Sequence, residues 1–190
     1  PIDNKWVLAL DADQRVSPEL KEEICRKLPQ TEENITGYYV ARRYYFRGQW
    51  IRHGGYWPKY MLKLFRTHSA RCDEKELLDF RFYTDGEIDR LQGAIIEFNE
   101  KERQILFWLQ KHLQFVELLA QEELARKKSK DAWLLHPRFW GTPDERVLWL
   151  KSFWYLLPLR FRPFFYLLYR LIFRAGILDG PNGILFHFLQ

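Results

Sequence analysis

Two carboxylates flanking one small residue, Asp11-Ala12-Asp13, follow directly on the apolar run Trp6-Val7-Leu8-Ala9-Leu10. Such a run has the length and bounds of a strand buried in a sheet. In open α/β sheets, ligands gather beyond the carboxyl ends of the strands. Two carboxylates there can hold a hard divalent cation through oxygen, and through it a phosphate. A second acidic group, Asp73-Glu74-Lys75-Glu76, lies downstream between strand-like segments. Between the two acidic groups runs Arg47-Gly48-Gln49-Trp50-Ile51-Arg52-His53-Gly54-Gly55-Tyr56-Trp57-Pro58. Its glycines, histidine, arginines and tryptophans describe either a shaped functional loop or an aromatic-packed turn.

Three chemistries compete for Asp11 and Asp13. A phosphatase of the haloacid-dehalogenase type would want Thr or Val two residues after the second Asp, where Arg15 stands. A calcium loop would need a third oxygen ligand at that same position, a glycine at its sixth position and a distal glutamate. Arg15 and the missing glycine exclude it. A nucleotide-sugar transferase would bind Mn²⁺ or Mg²⁺ through the Asp-x-Asp. It would then need a downstream carboxylate to deprotonate the acceptor hydroxyl, and Asp73-Glu74 offers candidates.

The elements that must position these groups read clearly in places. Ser17 caps a helix over about 18–28, with Pro18 at its first position and Pro29 closing it. Residues 36–46 are rich in β-branched and aromatic side chains and read as one strand or two, 60–66 as another, and 94–98 as a last short one. From Asn99 the period changes. Ile105, Trp108, Leu109, His112, Phe115, Val116 and Leu119 recur at helical spacing, giving an amphipathic helix to about Lys127 in which His112 is a packed or capped residue. Thr142-Pro143-Asp144-Glu145 forms a capping box for a helix to about Leu157. A further helix over about 163–175 carries a polar stripe of Tyr166, Arg170 and Arg174, with apolar residues over most of its circumference.

The totals bound the rest. The chain has 190 residues, nearly half of them hydrophobic, enough for one sizeable domain or a domain with an appendage. It starts at Pro1 with strand residues close behind, which reads as a fragment lacking its natural N-terminus. Cys25 and Cys72 form no disulfide framework and no metal-ligand spacing, which fits a reducing, intracellular setting. The formal charge of +5 is unevenly placed. Between Arg146 and Leu178 stand Arg146, Lys151, Arg160, Arg162, Arg170 and Arg174 with no acidic residue, so the remainder is close to neutral. A general nucleic-acid binder is therefore not expected. No uncharged apolar run reaches the ~18 residues of a spanning helix. Apolar bulk interrupted by arginines suits a segment lying on an anionic membrane surface, or a helix docked on protein.

Taken in order, these segments resemble family 2 glycosyltransferases of the GT-A fold, in particular the bacterial subgroup that builds lipopolysaccharide core and exopolysaccharides. The resemblance rests on residues 6–20 around the Asp-x-Asp, on 47–58 with Leu64-Phe65-Arg66, and on Asp73-Glu74-Lys75 with Asp85-Gly86. Lys111-His112 and the segment 176–183 add to it. It implies an α/β fold: the C-terminal part of a Rossmann-like GT-A mixed sheet with flanking helices over 1–130, then a helical amphipathic tail over 131–190. Asp11 would contact the nucleotide and Asp13 the metal. Arg52 and His53 would lie near the acceptor or diphosphate, and Glu74 or Asp73 would be the general base, with Glu76 close behind. Gln14 stands where the subgroup usually has Glu. The expected activity is metal-dependent, inverting transfer from a nucleotide-sugar donor to a saccharide or lipid-linked acceptor. It would act from the cytoplasm on the inner face of the membrane. The half that would hold the nucleotide base is missing, so the fragment alone would be inactive. The alternative is a non-catalytic membrane-surface interaction module on a transferase-like scaffold.

Overall fold

The computed structural model describes residues 4–73, 75–78, 81–128 and 136–190. Strand β1 (Trp6–Leu8) leads through the Asp11 turn into β2 (Gln14–Val16) and helix α1 (Pro18–Lys27). The cap is as the sequence dictates, with Ser17 Oγ accepting from Leu20 N at 3.2 Å. A 12-residue strand, β3 (Ile35–Phe46), turns through Arg47 and Gly48, both at positive φ, into β4 (Gln49–Ile51). Then come β5 (Tyr60–Arg66), a hairpin of β6 (Ala70–Cys72) with β7 (Phe82–Thr84), and β8 (Glu87–Glu97). Helix α2 (Ile105–Lys128) follows, and beyond it α3 (Pro143–Trp154), α4 (Arg162–Leu168) continuing as a π-helical turn over Tyr169–Phe173, and α5 (Gly180–Leu189).

Six strands form one mixed sheet in the order β1-β5-β3-β8-β2, with β4 paired to the end of β3. Only β3 and β8 are parallel neighbours; the other pairings are antiparallel. Strands β1, β3 and β8 therefore point the same way, and their carboxyl ends share one edge of the sheet.

One face of the sheet is covered by α1, with Leu20, Tyr38, Val40, Leu64, Leu91 and Ile95 buried together. Gly93 permits the close approach, since a Cβ there would sit 2.4 Å from Leu20 Cα. Farther along, Tyr44, Phe46 and Ile51 pack with Trp108 of α2 and Phe186 of α5. The opposite face carries Tyr39, Leu62 and Phe65 under the β6–β7 hairpin.

Strand β8 is longer than the sequence suggests, because Glu87-Ile88-Asp89-Arg90 has weak strand composition and is held by pairing to β3. The expected division at 130/131 falls outside the described residues. Farther on, the fully buried Phe186 joins the last helix to the sheet core, so residues 180–189 pack as part of that core rather than as a free tail.

The third helix has its capping box complete: Thr142 Oγ1 accepts from Glu145 N, and Glu145 Oε2 accepts from Thr142 N at 2.8 Å. Of the polar stripe, Tyr166 and Arg170 face inward, while the Arg174 side chain is exposed. Arg170 bonds the Tyr166 hydroxyl, donates to the Gly54 carbonyl at 3.3 Å and lies over the Tyr56 ring. Arg174 O accepts from Gly54 N at 2.8 Å. The apolar side is what faces outward, with Leu156, Leu159, Phe164, Ile172 and Phe173 all exposed. No described helix is long and apolar enough to cross a membrane.

Candidate active site at the carboxyl edge of the sheet

Asp11 and Asp13 lie in a turn closed by Gln14 N donating to Asp11 O at 2.9 Å. Gln14 is buried and ties the turn from within. Its Oε1 accepts from Asp11 N at 3.1 Å and its Nε2 donates to Glu97 Oε2 at 2.9 Å. Phe98 N donates to Asp13 O at 3.0 Å, so the end of β8 fixes the same turn from the other side. Both carboxylates are thus placed by backbone bonds and left partly open, at 62% side-chain exposure for Asp11 and 27% for Asp13.

Cations converge on this edge. Lys63 is buried in β5 between Leu62 and Leu64 and donates to Asp11 Oδ2 at 3.0 Å. Lys111 of α2 donates to Glu102 Oε1 at 2.6 Å and lies 3.8 Å from Asp13 Oδ2. Burial works against the charge of Lys111, but Glu102, Asp13 and Glu97 together raise its pKa and keep it cationic. Arg42 Nη1 reaches both oxygens of Glu97 at 3.0 Å. Glu102 is buried and also accepts from Tyr44 OH at 3.0 Å. Burial and the Glu102 charge push the Tyr44 phenol far up, so it stays protonated as a donor. Beyond it, His112 stacks on Trp108 with centroids 3.5 Å apart and bonds the Trp108 carbonyl through Nδ1 at 2.9 Å. Burial lowers its pKa, so the ring is a packed, neutral helix residue.

The donor set suits a metal shared with a substrate. At 3.8 Å, Lys111 is too far from Asp13 for a hydrogen bond, so that carboxylate keeps lone pairs for a cation. Among the described residues no group of three His, Cys, Asp or Glu forms a closed cage. Mg²⁺ is commonly held by one or two carboxylates with substrate phosphates completing the shell, and Asp13 with Asp11 fits that mode.

Glu74 lies outside the described residues. Asp73 is buried, its Oδ1 accepting from Lys75 N at 3.1 Å within its own turn. Glu76 is 1% exposed and structural. It accepts from Arg81 N at 3.0 Å, from Arg81 Nη1 at 2.8 Å and from Tyr83 OH at 2.8 Å. Arg52 and His53 are held elsewhere than at Asp13, in a second network. The buried Asp179 takes Arg52 N at 3.2 Å, His53 N at 2.8 Å and His53 Nδ1 at 2.7 Å, while its carbonyl accepts from the Gln49 amide. Gly54 is required here twice over. Its φ is +66°, and a Cβ would lie 2.0 Å from Cε1 of the buried His187.

Lys63, Arg42, Glu97 and Glu102 were not singled out from sequence. A lone lysine inside the apolar strand Tyr60-Met61-Leu62-Lys63-Leu64 was the one local signal; the others join the site only through tertiary contacts. These features define a mixed α/β protein with a curled mixed sheet and flanking helices, and an acidic turn at the shared carboxyl edge. No family model matches the chain, and no solved structure matches it.

Proposed function

We propose that this chain forms the metal–diphosphate and acceptor side of an inverting glycosyltransferase of the GT-A type. It would move a sugar from a nucleotide-sugar donor to a saccharide or lipid-linked acceptor at the inner face of a bacterial cell membrane. The observation that supports this reading is the placement of Asp11 and Asp13, partly open, where β1, β3 and β8 end among Lys63, Lys111 and Arg42. Asp13, with Asp11 beside the nucleotide, would hold Mn²⁺ or Mg²⁺, which would supply Lewis-acid neutralisation of a diphosphate. Lys63 and Lys111 add fixed positive charge where negative charge develops. Glu74, or Asp73, takes the proton from the acceptor hydroxyl as its oxygen attacks the anomeric carbon and the bond to the diphosphate breaks. The outward apolar side of residues 156–173, with basic Arg160 beside it, supports the membrane-surface part of this reading.

That same apolar exposure favours a second reading, a membrane-surface module without catalysis. Calorimetry of Mn²⁺-dependent nucleoside diphosphate binding by the full-length protein separates them. Asp13→Asn is expected to weaken binding at least tenfold. Glu74→Gln is expected to leave binding intact and to lower kcat by about 10²-fold or more. Unchanged binding and turnover in both variants would overturn the transferase reading.

A further inference from the structure

The face of the sheet opposite α1 carries an arginine–tryptophan cluster that plays no part in the network around Asp13. Arg43 and Arg15 are both cross-strand partners of Ile96, and partners share a face, so the two arginines project from the same side of the sheet. Next to them Tyr45 pairs with Trp50 across the β3–β4 hairpin. Trp50 and Trp57 meet edge to face at 5.2 Å. The Arg43 guanidinium lies 5.2 Å from the Trp50 ring centre and 5.7 Å from that of Trp57, and the Arg52 guanidinium lies 4.8 Å from Trp50.

Two features of this cluster are unspent. First, among the described residues no carboxylate lies within 4 Å of the guanidinium nitrogens of Arg15, Arg43 or Arg52. Glu19, whose carboxyl is held low first by Ser17 and only last by Arg43, makes no ion pair with it. Second, Nε1 of Trp50 and Nε of Arg43 are buried and have no acceptor among the described residues. Buried donors without partners are uncommon, and two in one patch mark a place where an acceptor is wanted. A guanidinium beside an indole face still has N–H groups to offer a carboxylate or phosphate, in bidentate fashion where the geometry allows. The indoles and Tyr45 offer apolar faces and edges beside that charge, which suits the C–H faces of a sugar ring.

We propose that Arg43, Arg52, Trp50 and Trp57 form a binding site for an acidic saccharide, a sugar bearing a carboxylate or a phosphate. Single-stranded nucleic acid also combines stacking with positive charge, but it needs a basic track along its backbone. Of the basic residues in 34–72, Arg42, Lys63 and Arg71 are paired with Glu97, Asp11 and Asp85, so the charge beside the tryptophans is a compact cluster rather than a continuous track. The site names an acceptor class for the transferase reading and rests on that reading only for the word acceptor; the binding itself stands alone.

Tryptophan fluorescence of the whole chain, titrated with trigalacturonate, glucose 6-phosphate, neutral maltotriose and decauridylate, tests it. Trigalacturonate or glucose 6-phosphate is expected to bind at least tenfold more tightly than maltotriose, and which of the two does so identifies the anionic group. Arg43→Gln and Arg52→Gln are each expected to weaken that binding about tenfold. Arg52 is exposed, so its variant carries the test even if Arg43→Gln disturbs the sheet. Binding of neither acidic sugar, equal binding of maltotriose, tighter binding of decauridylate, or unchanged affinity in Arg52→Gln would overturn the proposal. Asp13→Asn is the control that separates the two readings. It should lose metal-dependent nucleoside diphosphate binding while binding the acidic sugar as before, and the arginine variants should do the reverse.

Discussion

Lowering the pH should loosen the joint between the C-terminal helix and the Arg52–Gly55 loop, and one histidine sets by how much. His187 is 2% exposed, wedged between Gly54 and Gly176, and neither ring nitrogen has a hydrogen-bond partner among the described residues. Burial first, and the Arg170 charge second, lower its pKa from 6.5 to about 4, with Asp179 opposing them. An unfolded chain protonates this ring near pH 6.5. Between pH 6.5 and about 4 the unfolded state therefore binds one more proton than the folded state, and stability falls as pH falls through that window. The slope is about 1.4 kcal/mol per pH unit, so the loss reaches about 2 kcal/mol at pH 5 and levels off below about pH 4. With a urea dependence of about 2 kcal/mol per molar, that is a midpoint shift of about 1 M. Urea melts at pH 7.5 and pH 5.0, followed by fluorescence, measure it. Other groups titrate in the same interval, so the informative quantity is the shift in the native chain minus that in His187→Gln. The variant starts lower at pH 7.5, from lost packing, but its shift should be smaller by about 1 M. An equal shift in the two proteins would refute the reasoning, because His187 would then be protonated in the folded state at no cost.

Removing the Glu76 carboxylate tests its structural role. Glu76→Gln leaves the half-buried Arg81 without its closest charge partner and should cost about 3 kcal/mol in chemical denaturation; little loss would return Glu76 to the set of candidate bases. Membrane association should depend on side chains that stabilise nothing in the fold. Phe173, 75% exposed, and Ile172 replaced together by Ser should lower binding to anionic vesicles at least tenfold in sedimentation, with the melting temperature unchanged. Retention on vesicles by that double variant would refute the membrane reading of this face. Point substitutions are the right instrument because truncation before Arg146 would also remove Phe186 from the core.

How much of this was legible in the sequence depended on the range of the interaction that decides each feature. The caps at Ser17 and Thr142 are settled by side chains three residues from their donors, and both appear as the residues predict. The Asp11–Asp13 turn follows its apolar strand for the same local reason. The first half of β8 did not announce itself, since Glu87, Asp89 and Arg90 disfavour strands and only the pairing with β3 holds them. Asp179 sits in a Gly-Ile-Leu-Asp-Gly-Pro segment that reads as a turn. Its carboxylate receives Arg52 and His53 from more than 120 residues away, and nothing local predicts that. Likewise the charge nearest Asp13, that of Lys111, comes from α2, and nothing local to either residue predicts that the two meet.

The arginine stripe shows why a helical period and a docking direction are separate questions. Spacing groups Tyr166, Arg170 and Arg174 on one side, but a wheel does not say whether that side meets water, lipid or protein. In this fold it meets protein, because Gly54 and Tyr56 offer a carbonyl and an aromatic face that suit a guanidinium better than an apolar helix would. The phenols strengthen that choice: desolvation works against the Arg170 charge, but Tyr56 and Tyr166 raise its pKa and keep it cationic. The apolar residues are left outside as a consequence, and the surface they form is continuous in sequence with the segment that clamps the Arg52–Gly55 loop. Whatever covers Phe164, Ile172 and Phe173 therefore bears on the same helix whose Arg170 and Arg174 fix Gly54. A membrane in that position would hold the loop and its arginine–tryptophan neighbour at a set height above the lipid.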